Sequence, residues 1–324
     1  VAFECVACEC AAIERRGAFE QVGIRMVLQA HATAAGEGAI LHGDEVVAVA
    51  GPWIRDVRIE DVDHPRVKAG ISEKILSTLE RFGMEWDGPV IYQSKCMDRY
   101  QDALHFLGSL GLTYPCSCTR KEIADSALLG LEGMVYPGHC LNGLPPGHDQ
   151  RPQAVRIRTR PDRIEFQDRL QGSVYQSIAN EIGDFVLRRA DGIYTYQLAV
   201  VVDDGWQGIT HIVRGADLLA STPRQIFLQR LLGYPTPSYL HLPVVTTAQG
   251  EKLSKQTLAH PIDTENPLLQ LMAAIDFLGQ HPPSELIEGD LNSFWQWAIN
   301  HWSVARIAQV TYAPYNPLLN IVNE

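Results

Sequence analysis

Two groups of residues have types and spacing suited to chemistry. In "GEKLSKQ", residues 250–256, Lys252 and Lys255 flank Ser254 behind a glycine. Two ammonium groups on one flexible loop can hold a polyphosphate. A lysine pair around a serine is common on solvated surfaces, so this loop gains weight from its place after "YQLAVVVDD", "GITHIVRGADLL", "STPRQ" and "YLHLPVV".

The second group is "YPCSCTRKE…MVYPGHC". Cys116 and Cys118 are one residue apart, and Cys140 follows 22 positions after Cys118 with Tyr136 four before it. Zinc prefers four ligands, usually thiolate and imidazole. Three thiols leave the fourth place to His139, to the phenol oxygen of Tyr136, or to a water, and ligand statistics favour His139. The surrounding segment 113–150 is rich in Cys, Gly and Pro and short of apolar residues, so it needs a staple other than a core.

The chain that carries these groups has 324 residues, 46% hydrophobic and 20% charged, a globular balance long enough for two or three packed units. No window reaches the roughly 18 apolar residues a membrane span needs, and the start lacks a basic segment followed by an apolar run. The expectation is a cytoplasmic protein, monomeric and without a membrane partner. Seven cysteines, grouped as Cys5, Cys8 and Cys10 and then Cys96, Cys116, Cys118 and Cys140, fit reduced thiols and metal sites better than a disulfide framework. A net charge of −11 argues against indiscriminate nucleic-acid binding but leaves room for a local basic groove.

The elements that must position these groups are legible from Val57 onward. "VRIEDVD" reads as a strand ending in Glu60, Asp61 and Asp63. Ile71, Ile75, Leu79 and Phe82 fall at helical spacing, with Ser72 as cap and Gly83 as stop. "DRYQDALHFLGSLGL" repeats the pattern. "QAVRIRTRP" sets Val155, Ile157 and Thr159 against Arg156, Arg158 and Arg160, a half-buried strand with a basic outer face. The apolar run "YTYQLAVVVDD" predicts a parallel strand buried on both faces. A helix over "DLLASTPRQIFLQRLLGY", a short strand at "YLHLPVV" and a helical stem around Trp295, Trp297 and Trp302 complete an α/β class with its ligands at the strand ends.

In this order "VRIEDVDHPR", "WDGPVIYQS", "YPCSCTRKE", "YPGHC", "YQLAVVVDDGWQGITHIVRGADLLASTPRQ", "YLHLPVV" and "KLSKQ" resemble the catalytic core of class I glutamyl-tRNA synthetases. They resemble most the short paralogous family of glutamyl-queuosine tRNA(Asp) synthetases. The resemblance runs from about Val57 to about Leu278. It implies a Rossmann-like parallel sheet over 57–112 and 184–245, a zinc-containing insertion over 113–183, and the lysine loop with a helical region over 246–324. Only 69 residues follow Lys255, so no anticodon-binding domain is expected.

The resemblance also implies roles. Cys116, Cys118, Tyr136 and Cys140 match the family's zinc ligands, which moves the fourth ligand from His139 to Tyr136. Glu60 meets the amino group of glutamate, and Tyr196 and Arg214 lie in its pocket. Lys252 and Lys255 are catalytic, with Lys255 and Ser254 contacting ATP, which is expected with Mg²⁺. Glutamate, ATP and queuosine-containing tRNA(Asp) are the implied partners. Without the resemblance, Glu60 is equally a partner for Arg66, Tyr196 a packed strand residue, and Arg214 a helix cap or a partner for Asp217.

Residues 1–56 depart from the family, whose first strand is followed by Pro-Ser-Pro-x-Gly and Leu-His-x-Gly. The nearest echo is Leu41, His42 and Gly43, which makes His42 a candidate ATP contact, 18 residues before Glu60. That departure keeps two other readings open: a tRNA- or glutamate-binding homologue without activity, and a truncated glutamyl-tRNA synthetase.

Overall fold

The computed structural model describes residues 23–27, 53–54, 56–63, 65, 67, 69–125, 128–130, 133–252 and 262–314. His42, Ser254 and Lys255 lie outside the described residues, as do Cys5, Cys8, Cys10 and Arg66.

The order begins with strands β1 (Gly23–Val27), β2 (Trp53–Ile54) and β3 (Asp56–Glu60), then helix α1 (Ile71–Arg81), β4 (Glu85–Trp86), β5 (Ile91–Tyr92) and α2 (Met97–Ser109). Next come β6 (Thr113–Cys116), α3 (Arg120–Ala124), β7 (Leu128–Gly130), β8 (Gly133–Val135), β9 (Ala154–Ile157), β10 (Arg163–Asp168) and β11 (Gly172–Ser177). The chain continues through α4 (Ile178–Glu181), β12 (Val186–Arg188), α5 (Tyr196–Gln207), β13 (His211–Gly215), α6 (Thr222–Leu232), β14 (Ser238–Leu242) and β15 (Val244–Thr246). Helices α7 (Pro267–Phe277) and α8 (Leu291–His301) and strand β16 (Tyr312–Pro314) end the described part.

The sheets are mixed rather than wholly parallel. Strand β3 pairs antiparallel with β1 and parallel with β5. A second sheet has the order β11-β10-β14-β13, antiparallel at its β11 edge and parallel from β10 to β13. In it Asp168 stands opposite Tyr239, two residues before His241, and Arg214 stands opposite His241. Three neighbouring strands therefore bring Asp168, His241 and Arg214 into one row.

The largest correction concerns residues 196–207, which form helix α5 and not a buried strand. Leu198 through Asp204 are all buried, five of them a continuous apolar run, and a short continuous apolar run carries no period to separate a helix from a strand. Gly208, in the left-handed region at φ 67°, ends it. Helix α1 matches its predicted span, but its cap is Gly70 with φ 81°, and Ser72 is buried inside the first turn.

Two apolar clusters form the core. Val57 and Ile59 of β3 meet Leu240 and Leu242 of β14 and the inner faces of α1, α7 and α8. The other joins α2, α5 and α6 with Ile157, Ile164 and Tyr239. The C-terminal helices pack on the core as expected: Trp295 is buried, and its indole N–H donates to the Phe82 carbonyl at 3.0 Å. Strand β16 returns to pair with β15. Among the described residues no helix is long and apolar enough to cross a membrane.

Candidate active site

Arg214 is 1% exposed, although it carries a permanent charge. Its Nε donates to His241 Nε2 at 3.0 Å, and its Nη2 donates to Thr222 Oγ1 at 2.7 Å and to the Leu218 carbonyl at 3.4 Å. Its Nη1 is buried without a hydrogen-bond partner among the described residues. Burying a guanidinium with one nitrogen unmatched is costly, and such a nitrogen is what an anionic ligand would satisfy. The bond of Arg214 to the Leu218 carbonyl touches the helical turn Ala216–Ser221, but its two shorter bonds go to His241 and Thr222.

Behind it, His241 Nδ1 lies 2.6 Å from Asp168 Oδ2. The distance alone suggests an ion pair, but burial and the adjacent positive Arg214 lower the imidazole's pKa and outweigh Asp168. Burial would raise the Asp168 carboxyl, yet hydrogen bonds from His241 and from the backbone N–H groups of Gln171 and Leu170 hold it below the ordinary value. Arg214 Nε can only donate, so Nε2 keeps a lone pair and the pair is a neutral imidazole on a carboxylate.

Tyr196 opens α5, half-buried against the second core cluster. Its neighbour Gln197 donates to Ser221 Oγ at 3.2 Å, next to the Thr222 that accepts from Arg214. The helix start and the arginine row thus meet through Ser221 and Thr222.

Glu60 is tied to the far half of the same helix. Arg58, fully buried on β3, donates through Nη2 to Glu60 Oε1 and to Asp204 Oδ1, each at 3.0 Å, and through Nη1 to Gln207. Burial opposes the Arg58 charge, but Asp204, Glu60 and Asp203 outweigh it and raise its pKa. Asp203 also accepts from Gln93 and from Tyr100, each at 2.8 Å. Arg58 is the residue that sequence reasoning misses, because a charged residue inside an apolar strand is easily taken for solvent-facing. The signal available was "RIE" on β3 with "DD" in an otherwise apolar run.

Lys252 Nζ donates to Asp217 Oδ2 at 2.5 Å, three residues past Arg214 in the chain. The start of the lysine loop is therefore pinned beside the exit of β13.

The three thiols converge: the Sγ atoms of Cys116, Cys118 and Cys140 lie within 4.8 Å of one another. Tyr136 Oη is 3.4 Å from Cys116 Sγ and 3.6 Å from Cys118 Sγ, and accepts from the Cys140 N–H at 2.9 Å. His139 is exposed, with its ring edge-on to Tyr136 at 6.4 Å, outside the converging set. Burial would push the Cys116 thiol up, but hydrogen bonds from Tyr136 and Arg156 hold it below its usual value. Cys118 is pushed up to about 12, first by burial and then by neighbouring thiols. Three thiols and one phenol oxygen around one point suit a four-coordinate, thiolate-preferring ion.

The expected basic outer face is only partly there: Arg160 is exposed, but Arg156 and Arg158 turn inward. Arg156 is buried with its guanidinium 3.8 Å above the Tyr136 ring and donates to the Asp184 carbonyl at 2.7 Å. Arg158 lies 4.9 Å over Tyr114 and donates to the Leu141 carbonyl at 3.0 Å. Both arginines brace the thiol segment instead.

The family profile of "tRNA synthetases class I (E and Q), catalytic domain" matches residues 54–266, and the chain belongs to that family of ligases. Among curated relatives, the glutamyl-Q tRNA(Asp) synthetase of Aromatoleum aromaticum is 51% identical over 275 residues, 82% of this chain and 86% of the relative. That of Dechloromonas aromatica is 53% identical over 255 residues, 78% of this chain and 83% of the relative. Within the family the chain groups with these glutamyl-Q tRNA(Asp) synthetases. A solved glutamate-tRNA synthetase from Elizabethkingia anophelis shares the fold at 22% identity, with a TM-score of 0.63 over 80% of this chain. This chain spans 61% of that structure's length.

Proposed function

We propose that the protein activates glutamate with ATP and transfers it to the cyclopentenediol of queuosine in the anticodon of tRNA(Asp). The observation that carries this reading is Arg214: a buried guanidinium with one nitrogen unmatched, beside the start of α5 and within three residues of the acid that holds Lys252. The names of the relatives support the same substrate pair.

In this reading an oxygen of the glutamate α-carboxylate attacks the α-phosphorus of ATP, the new P–O bond forms, and pyrophosphate leaves. A queuosine hydroxyl then attacks the adenylate carbonyl, giving the ester and releasing AMP. Glu60, held by Arg58, meets the substrate ammonium. Arg214 and Tyr196 line the amino-acid pocket, where a guanidinium fork suits a carboxylate. Lys252 and Lys255 neutralise phosphate charge, with Ser254, His42 and Mg²⁺ at the nucleotide, since positioning and charge stabilisation supply most of the acceleration. Cys116, Cys118, Tyr136 and Cys140 would hold one zinc ion, which supplies a structural closure of the 113–150 segment.

Glutamate-dependent ATP–pyrophosphate exchange without tRNA tests activation, and labelled glutamate recovered on queuosine-containing tRNA(Asp) tests transfer. Absence of exchange by the folded, metal-loaded chain would overturn activation in favour of a binding protein. Label at the 3′ end of tRNA(Glu) would make it a glutamyl-tRNA synthetase.

A further inference from the structure

The row across β10, β14 and β13 holds more than the arginine needs for burial. Asp168 Oδ1 accepts from three backbone N–H groups, those of Gln171 at 2.8 Å, Leu170 at 3.0 Å and His241 at 3.3 Å. That leaves Oδ2 for the imidazole, at 2.6 Å from Nδ1. A carboxylate accepts only, so Nδ1 carries the proton, and Nε2 must present a lone pair. Arg214 Nε, which can only donate, is 3.0 Å from that lone pair. Thr222 Oγ1 accepts from Arg214 Nη2 at 2.7 Å, whether its own proton goes to the Leu218 carbonyl at 3.2 Å or to the His241 Nε2 lone pair at 3.1 Å. Tyr239 stacks on the imidazole at 13° and 5.9 Å, which fixes the ring plane. From Asp168 through His241 to Arg214 Nε each hydrogen bond has one permitted direction, and the series ends at Arg214 Nη1, a buried nitrogen with no partner among the described residues.

We propose that Asp168 and His241 are positioning residues for amino-acid binding: by fixing one imidazole tautomer they make His241 an acceptor for Arg214, and this aims Nη1 at a carboxylate of the substrate. The inference rests on the reading of Arg214 as a glutamate contact. It assigns no contact with substrate to Asp168 or His241 themselves.

The tautomer makes the proposal separable from packing. In Asp168→Asn, the amide oxygen stays on the three backbone N–H groups, so the amide NH₂ faces Nδ1. The imidazole then moves its proton to Nε2, and two donors oppose each other at Arg214. His241→Gln can place an amide oxygen near the former Nε2 whatever residue 168 is, whereas His241→Leu offers no acceptor.

The experiment measures glutamate affinity by titration calorimetry and the KM values for glutamate and ATP in pyrophosphate exchange, on variants whose folding is checked by thermal melting. Asp168→Asn is expected to weaken glutamate binding about 10- to 100-fold, the size of a lost hydrogen bond to a charged group, with KM for ATP within about twofold. The double variant Asp168→Asn with His241→Gln is expected to recover at least about fivefold of that loss. A structural defect would instead deepen with the second change.

Glutamate affinity unchanged in a folded Asp168→Asn protein overturns the proposal, as does equal weakening by His241→Gln and His241→Leu. The latter pair decides the matter alone if Asp168→Asn does not fold. Arg214→Lys separates the two levels. If it spares glutamate affinity, the pocket assignment itself fails; if it weakens affinity while Asp168→Asn does not, only the positioning role fails.

Discussion

At the scale of single residues, the electrostatics of the buried row have a consequence for acid stability. His241 has a folded pKa below the ordinary 6.5, because burial and Arg214 disfavour its charge, against the pull of Asp168 and Asp217. The sign follows from linkage: below pH 6.5 the unfolded chain binds a proton that the folded chain refuses, so stability falls as pH drops. His211, also lowered by burial and by Arg169, acts in the same direction. Asp168 adds stability above its unfolded value of 3.8 that disappears as pH falls through its depressed folded value. Denaturant melts between pH 7.5 and 5 should show declining stability, and His241→Gln should flatten that decline without abolishing it. A slope unaffected by His241→Gln would mean that the imidazole takes up its proton in the folded chain at the same pH as in the unfolded one. Arg214→Lys belongs to this scale too: a point charge cannot reach His241, Thr222 and a carboxylate together. The expected loss is about 2 kcal/mol, roughly 30-fold in kcat/KM for glutamate in pyrophosphate exchange.

At the scale of elements, what was legible followed from chemistry that repeats along the chain. Helix α1 and strand β3 announced themselves through period and flanking charge, and the thiols through spacing. Helix α5 did not, because residues 198–202 are buried and wholly apolar, so their run has no polar face to set a period. The inversion of Arg156 and Arg158 was equally hidden: strict alternation predicts which side chains share a face, but not that the "outer" face is roofed by Tyr136 and Tyr114. Pairwise contacts between distant residues, such as Asp168 with His241, leave no trace in a single sequence. One close approach is testable. Gly183 has φ 75°, and a Cβ there would meet the Tyr136 backbone O at 3.0 Å and N at 3.1 Å. Gly192 has φ 90° with nothing within 4 Å of a Cβ. Gly192→Ala should cost only the left-handed strain of about 1–2 kcal/mol, whereas Gly183→Ala adds crowding against the segment that carries Tyr136. The larger fall in melting temperature and the faster loss of metal to a chromogenic chelator should both belong to Gly183→Ala. Equal effects would show that the backbone gives way at no cost.

At the scale of the whole molecule, the two large apolar clusters contrast with the thiol segment, whose own buried cluster among the described residues is Tyr114, Cys116, Tyr136 and Cys140. So small a cluster cannot balance the entropy of ordering the loops around it. It is joined to the body through Asp184, which accepts from Tyr114 Oη at 2.6 Å and from the Thr159 N–H at 2.7 Å, while its carbonyl takes Arg156. These polar ties can anchor a folded segment but supply little of the burial needed to fold it. Removing the proposed metal should therefore open the segment locally and leave the body folded. Metal analysis should find one zinc per chain. After chelation, limited proteolysis should cut within residues 117–151, while the main thermal transition moves by less than about 4 °C, the effect of roughly 1 kcal/mol in a chain of this size. Cys118→Ser should reproduce the cleavage. Cys96→Ser should not, since Cys96 lies on the other core with its thiol on the Tyr92 carbonyl at 3.4 Å. Loss of the main transition on chelation would instead mean that the segment and the two cores fold as one cooperative unit, with Asp184 transmitting more than its hydrogen bonds account for.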